Sequence, residues 1–524
     1  MFRRIVLSLA AVGALATLLL FPVVHAVLLG ANFLLHCLTL GLQTVLTRLP
    51  WVRPATRSLT DEEPFVSIHV PAHNEPPDIL IDTLKSLARI RWKNFEVLVI
   101  DNNTTDETLW RPVEACCATL GPRFRFLHVE NMAGFKAGAM NWARQFINPA
   151  ASFIFVVDAD YQVDRNCLRR ALRHVTDDTI GLVQFPQHYR NINRANLGLA
   201  LDFRHFFASY MNMANRLGCV PSTGTLSLIS LKALEATGGF CTETITEDAE
   251  LGFRMNVKGY RAIYVNENIG TGLMPYDLEG LKKQRWRWAF GNAQILKANW
   301  KRLLFGSELG WKQKLGFFAH MTAWFNFNLL PSISLLILAP LALMDRITPV
   351  QHYLLILSGF TLMTYLVFRF ATMFYGLRRE GHRLGAITLA FLSHIGLGWI
   401  FGLSWIKCLW DHRSPFVRTN KFIGSVVPRQ VRSMATELVL GVLLLVSAVV
   451  LMLTDFVLGP IAALTMAGIR FGIVWVWHQT VRTCQLTEEL LKTKAVPAVP
   501  PALPAESTEA AAPLADPVDA RPSG

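Results

Sequence analysis

The chain has 524 residues, 52% of them hydrophobic and only 17% charged, with a formal net charge of +13 and a mean hydropathy of +0.32. A soluble protein of this size carries more charge, and the apolar excess is gathered in long runs, which argues against an oily soluble core and for membrane spans. The basic balance points to anionic lipid rather than nucleic acid. Arg3, Arg4, Arg378, Arg379, Arg383, Arg413, Arg418, Lys421, Arg429 and Arg432 flank apolar runs, as the positive-inside rule expects, and neither zinc-finger spacing nor an RNA-binding aromatic motif is present. The eight cysteines (Cys37, Cys116, Cys117, Cys167, Cys219, Cys241, Cys408 and Cys484) include no C-x-x-C pair, so neither a zinc site nor a disulfide framework is expected.

Residues 5–46 form a stretch of 42 without Asp, Glu, Lys or Arg. One straight helix of that length would reach about 63 Å, twice the hydrocarbon thickness. A hairpin of two spans bent near Pro22 fits better, and it puts Arg3, Arg4 and the following domain on the cytoplasmic side. Ala14-Leu15-Ala16 has the look of a signal-peptide cleavage site, but apolarity continues to Leu46, so an uncleaved anchor over 1–48 is expected.

Residues 60–305 have a soluble composition. Apolar runs at 65–70, 95–101, 124–129 and 153–158 alternate with helical patterns near 77–90, 106–119 and 136–147. Strands buried on both faces with helices between them predict a parallel sheet. Ligands bind beyond the carboxyl ends of such strands, where His73-Asn74-Glu75, Asp101 and Asp158 fall. Apolar runs resume at 317–344, 352–374, 384–410, 436–454 and 456–477. The basic segments 369–383 and 407–432 both belong on the cytoplasmic side, and one span cannot join two cytoplasmic ends. The run 384–410 therefore reads as an interfacial or re-entrant helix, leaving six spans, two before the domain and four after. The Pro/Ala-rich tail, 488–524, is expected to be disordered.

Four short segments carry chemistry. Asp158-Ala159-Asp160 ends the run 153–158; carboxylates two apart on an extended chain point the same way, and two hard oxygen donors beside a diphosphate suit Mg²⁺ or Mn²⁺. A solvated turn is the plain alternative. Asp101 closes its strand where it can accept hydrogen bonds from a ribose or base, while Thr105 or Asp106 caps the next helix. Thr246-Glu247-Asp248 is either an N-cap with acids in the first turn or the seat of a general base, Asp248, held at a rigid element end. Gln284, Arg287 and Trp288 stand at i, i+3 and i+4 on one helical face, where an amide, a guanidinium and an indole suit a sugar and a diphosphate. The alternative is a basic–aromatic interfacial helix, given Lys282, Lys283, Arg285 and Trp286.

In this order the four segments resemble the inverting family-2 glycosyltransferases, in particular the processive, membrane-embedded synthases related to cellulose and β-glucan synthases. Pro71-Ala72-His73-Asn74-Glu75 resembles the family's uridine loop, and Gly134-Phe135-Lys136-Ala137-Gly138-Ala139-Met140-Asn141 its K-A-G-A-x-N segment. Phe416-Val417-Arg418-Thr419-Asn420-Lys421 resembles the gating loop, with Arg418 where cellulose synthases usually carry Val. That departure, with Gly272-Leu273-Met274-Pro275 and Gln294-Ile295-Leu296-Lys297, is closer to β-1,3- and cyclic-glucan synthases.

The resemblance implies an α/β fold: a glycosyltransferase-A-type cytoplasmic domain with a mostly parallel sheet, inserted between transmembrane helices at 1–48 and 306–480, with a gating-type loop at 411–432. It places His73, Asn74, Glu75, Asp101 and Lys136 on the nucleotide, and Asp158 and Asp160 on the diphosphate and a Mg²⁺ or Mn²⁺ ion. It makes Asp248 the base beside Glu247. It turns Thr223, Gly224, Thr225, Gln284, Arg287 and Trp288 toward acceptor and product, and makes Phe416, Arg418, Thr419 and Lys421 the gate. The implied activity polymerises a β-linked polysaccharide, a glucan foremost, from a UDP-sugar and passes it through the protein's own membrane channel, at a bacterial inner membrane with the catalytic domain cytoplasmic. Transfer to a lipid carrier is the alternative, needing neither the face of Gln284, Arg287 and Trp288 nor the gating loop. A nucleotide-sensing transporter is disfavoured by the few charged residues in the spans. No nucleic-acid partner is expected, and export across a second membrane calls for accessory proteins.

Overall fold

In the computed structural model, which describes residues 12–13, 15–59, 64–194, 196–275, 278–326, 328–411 and 430–494, the four apolar runs of the domain become β1 (Phe65–Ala72), β2 (Phe95–Asn102), β3 (Phe124–Val129) and β4 (Ala151–Val156). They pair in parallel in the order β3-β2-β1-β4, with Ala72 beside Asp101 and His69 beside Val156. Period-two alternation divides their side chains between two layers. Val66, Ile68, Val70, Val97 and Val99 enter one apolar cluster, and Leu98, Ile100, Ile154 and Val156 enter the other. Each such side chain, fully buried, stabilises by about 1.5–3 kcal/mol.

The connections obey local rules. Pro77 opens α2 (Pro77–Leu87), where its missing N–H costs nothing. The Asp106 carboxylate caps α3 (Glu107–Leu120), accepting from Thr108 N at 2.9 Å. Gly134 and Phe135, both left-handed (φ +80° and +51°), turn the chain into α4 (Phe135–Ala143). Beyond β4 come β5 (Gln162–Val163), β6 (Ile180–Gln184), β7 (His188–Tyr189), β8 (Ser227–Ser230), β9 (Arg261–Tyr264) and β10 (Gly270–Gly272). The main sheet has seven strands, β3-β2-β1-β4-β8-β6-β9, in which only β8 runs antiparallel to its neighbours; β5, β10 and β7 form a second sheet beside it.

Among the described residues, five helical segments are long and apolar enough to cross a membrane: Pro22–Leu46, Pro349–Arg379, Leu384–Trp410, Met434–Met452 and Leu458–His478. The first is α1 (Pro22–Leu46) and the second α10 (Pro349–Arg379). They run parallel: Leu18 O meets Gln351 Nε2 at one end (3.2 Å), and the Thr44 and Thr372 hydroxyls meet near the other (2.9 Å). The hairpin expected at Pro22 is absent. Phe21 N bonds to Thr17 O, and His25 N to Phe21 O, both at 3.1 Å, so the helix passes through this point with a proline interruption.

The expected span 317–344 is also corrected. It is broken into α8 (Trp311–Met321) and α9 (Leu329–Leu343). Between them Asn326 Oδ1 accepts from Asn328 N (2.8 Å), and its amide donates to Tyr365 OH (3.0 Å); side-chain bonds of this kind compete with the helix ladder.

Leu384–Trp410 breaks at Leu397 into α11 (Leu384–Gly396) and α12 (Gly398–Trp410). Its first half lies on α5 (Leu197–His205) of the domain, with Leu389 O close to Gly198. Its last turn lies on α7 (Leu278–Phe305), where Lys297 Nζ donates to Cys408 O and Leu409 O (2.8 and 2.9 Å). The remaining spans belong to α13 (Gln430–Met452) and α14 (Leu458–Lys494).

Candidate active site

The carboxyl ends of β1, β2 and β4 meet the start of α6 (Glu247–Val257) and one face of α7 around a cavity of about 270 Å³. His73, Glu75, Lys136, Asp158, Asp160, Thr223, Gly224, Glu247, Asp248, Gln284, Arg287 and Trp288 all line it. The helical spacing of the last three brings them to one face, as expected. α7 is seated closely on α6: a Cβ on Gly291 would fall 2.2 Å from Thr246 Oγ1.

Asp158 and Asp160 reach the cavity by a different route from the one the alternation predicts. β4 ends at Val156, and Tyr161 N bonds back to Asp158 O at 3.0 Å, making a turn. The turn is held from several sides. Thr225 Oγ1 accepts from Asp158 N (3.0 Å), Asp160 Oδ2 accepts from Leu273 N (2.7 Å), and Arg190 donates to Asp160 O and Thr271 O (both 2.7 Å). Thr225 is thus buried support rather than a lining residue.

Lys136 Nζ donates to Asp158 Oδ1 at 2.7 Å and to Gly224 O at 3.0 Å. Burial alone would lower its pKa, but Asp158, Glu247 and Asp248 outweigh burial and raise it. Burial pushes Glu247 up to about 7, with adjacent Asp248 adding to the rise. Asp248 is raised by burial and held back by Lys136. Arg287 is lowered by burial and drawn back by Glu247, Asp248 and Asp158. The site therefore concentrates carboxylates against two half-buried cations, the arrangement that tunes acids and bases. Thr246 sits at the N-cap position of α6 without a capping side-chain bond, so capping does not account for the acids behind it.

Asp101 does not line the cavity. Its Oδ1 accepts from Thr104 Oγ1 (2.7 Å) and its Oδ2 lies 2.8 Å from His128 Nδ1. Thr104 Oγ1 in turn accepts from Asn74 N (2.9 Å). Asp101 thus stands one layer behind the loop of His73, Asn74 and Glu75 and is tied to it through Thr104 and Asn74 N.

Two family descriptions match the chain: Glycosyl transferase family 2 over residues 67–238, and Glycosyl transferase family group 2 over residues 153–375. Residues 67–375 thus carry a family-2 glycosyltransferase domain. Similar curated proteins include the cellulose synthase 1 catalytic subunit of Komagataeibacter xylinus, 30% identical over 310 residues (57% of this chain, 40% of that protein). The cellulose synthase catalytic subunit of Xanthomonas axonopodis pv. citri is 28% identical over 312 residues (57% and 41%). A probable glucomannan 4-beta-mannosyltransferase of Arabidopsis thaliana is 25% identical over 264 residues (48% and 47%). The chain spans less than half the length of these relatives. Among solved structures, a Pyrobaculum calidifontis mannosyltransferase in complex with GDP-Man and Mn²⁺ shares the fold, with TM-score 0.50 and 20% identity over 75% of this chain and 99% of that one. The family-2 domain here is thus of the glycosyltransferase-A type, flanked by membrane-capable helices.

Phe416, Arg418, Thr419 and Lys421 lie outside the described residues. The family-2 site also includes lining residues that sequence reading missed: Phe135, Tyr161, Gln187 and Tyr189. Tyr161 adjoins Asp160 and was open to inference. Gln187 precedes, and Tyr189 ends, a two-residue strand with no periodicity to read.

Proposed function

We propose that the chain is a membrane-embedded, inverting glycosyltransferase that builds a β-linked polysaccharide, a glucan foremost, from a UDP-sugar. The carrying observation is one cavity in which the Lys136–Asp158 pair, the Glu247 and Asp248 carboxyls, Arg287 and the Trp288 indole converge. Asp248 takes the proton of the acceptor hydroxyl as that oxygen attacks the anomeric carbon and the bond to UDP breaks, inverting the configuration. Glu247, holding its proton up to about pH 7, lets Asp248 stay ionised without a second charge beside it. Lys136 and Arg287 face the departing diphosphate, and Trp288 offers a flat platform for sugar.

Asp158 and Asp160 fit a Mg²⁺ or Mn²⁺ ion. No cage of three or more His, Cys, Asp or Glu exists among the described residues, and these hard cations are commonly held by one or two carboxylates plus substrate phosphates. Bound there, the ion would neutralise charge on the leaving group.

A second pocket of about 60 Å³, sharing Asp248, Thr223 and Trp288 with the first, is lined by Phe206, His320 and Trp324. His320 and Trp324 stand at the end of α8 and in the α8–α9 break, which supports an acceptor path toward the membrane helices. We place the catalytic domain on the cytoplasmic side of a bacterial inner membrane, where the basic flanks belong.

The test is UDP release by detergent-purified protein from a panel of UDP- and GDP-sugars with Mg²⁺ or Mn²⁺. Turnover with one donor, cut about 10²–10⁴-fold in Asp248→Asn, is expected. Residual activity above a few per cent in that variant would remove Asp248 from the role of base, and no turnover with any donor would defeat the transferase reading.

A further inference from the structure

Arg285 lies between Gln284 and Arg287 in sequence but faces away from the cavity, with its side chain fully buried. Its guanidinium contacts the Asp202 carboxylate of α5, itself 1% exposed. The other Asp202 oxygen lies 2.9 Å from His394 Nδ1 on α11. Arg285 Nε and Nη1 have no hydrogen-bond partner among the described residues. Aromatic faces surround the group instead: Phe203 at 4.1 Å, and Trp288 and Trp324 each at 4.9 Å from its Cζ. Those two indoles are 5.6 Å apart, and both line the 60 Å³ pocket beside Asp248. His394 in turn lies 5.7 Å from the Trp324 ring.

A buried guanidinium with unfilled donors is a costly feature, and cation–π attraction answers it only while the rings keep their places. We infer that Arg285 is a positioning residue: anchored by Asp202 and His394, it fixes Trp288 and Trp324 as the wall on which the acceptor end of the product rests. The donor side has its own supports, in Lys136, Thr225 and Arg190, which bond to Asp158 and Asp160 and not to the Arg285 cluster. Removing Arg285 therefore impairs acceptor use selectively. This inference rests on the transferase reading above.

Truncating Arg285 alone leaves Asp202 buried without its cation and threatens the fold, so the test uses a double variant. Arg285→Met with Asp202→Asn removes both charges and keeps an acceptor for His394; neutralising a buried pair in this way is often tolerated. UDP affinity is measured by titration. UDP release is then followed with the donor that turns over, against added cellotetraose or laminaritetraose as acceptor probes. The expected result is UDP affinity within twofold of wild type and a tenfold or greater rise in the oligosaccharide concentration needed for half-maximal stimulation. Restoring Asp202 with Lys at position 285 recovers part of that loss. A folded double variant with acceptor dependence within twofold of wild type overturns the inference, and so does a parallel loss of UDP affinity. Wild-type protein that turns over no donor sinks the transferase reading and this inference with it, whereas an active wild type matched by the double variant sinks the inference alone.

Discussion

Glu247, buried, and Asp248, half-buried, are neighbouring carboxyls at the head of α6, and their pH behaviour follows from that position. Glu247 has its folded pKa raised from 4.5 to about 7, first by burial and then by Asp248. A raised folded pKa means the native state holds the proton more tightly than the unfolded chain. The associated stability is fully present below pH 4.5 and is lost as pH rises to about 7. Thermal unfolding in detergent should thus lose midpoint across that window in wild type and less in Glu247→Gln; an unchanged slope would show that Glu247 is not the group. Asp101 makes a contrasting case. Asp101→Asn weakens the bonds from Thr104 and His128, with an expected stability loss of about 1–3 kcal/mol and weaker UDP binding through the loosened Asn74 loop. Retained stability with lost UDP affinity would instead restore the direct contact. The D-x-D and the acids after Thr246 were legible because their chemistry sits on contiguous residues. The role of Asp101 was not, because His128 reaches it only through the pairing of β2 with β3.

The contact of α7 with α6 decides whether the two halves of the site face each other. Gly291 makes it possible, since a Cβ there would overlap Thr246 Oγ1 and Cγ2 (2.2 and 2.4 Å). Gly291→Ala must push α7 off the acids it faces. A cost of about 1–3 kcal/mol and a fall in turnover are expected, while Gly385→Ala, with nothing within 4 Å, serves as the neutral control. Equal turnover in the two variants would mean the helix contact is not limiting. Elements with strong periodicity, such as β1, β2 and α3, could be read from sequence to within a few residues. The break between α8 and α9 could not, because it depends on an Asn326–Tyr365 bond between segments 39 residues apart.

Taken whole, four membrane helices sort their ends into two sets. Leu46, Arg379, Glu437 and Trp477 lie at the domain: Arg379 donates to Leu49 O (3.0 Å), Glu437 pairs with Lys282 of α7 (2.7 Å), and Trp477 packs in a cluster with Phe290. Leu18, Gln351 and the α13–α14 turn lie at the opposite end, where the His352 and Phe456 rings meet at 4.5 Å. Leu384–Trp410 is as long and apolar as these spans, yet both its ends touch domain elements, while Gly398 at its middle sits against Asn326 and Tyr365. A course that enters and leaves on one side would carry His394 to Asp202 without crossing, as the positive-inside rule expects of the basic sequence at its two ends. Single cysteines decide it, with native Cys116 and Cys241 of the domain as internal references. In vesicles sealed with the domain inside, an impermeant maleimide should label Thr454→Cys from outside. Arg383→Cys and Asp411→Cys should react only after permeabilisation, together with the references. Labelling of Asp411→Cys alongside Thr454→Cys would make Leu384–Trp410 a full span and reverse every helix end after it.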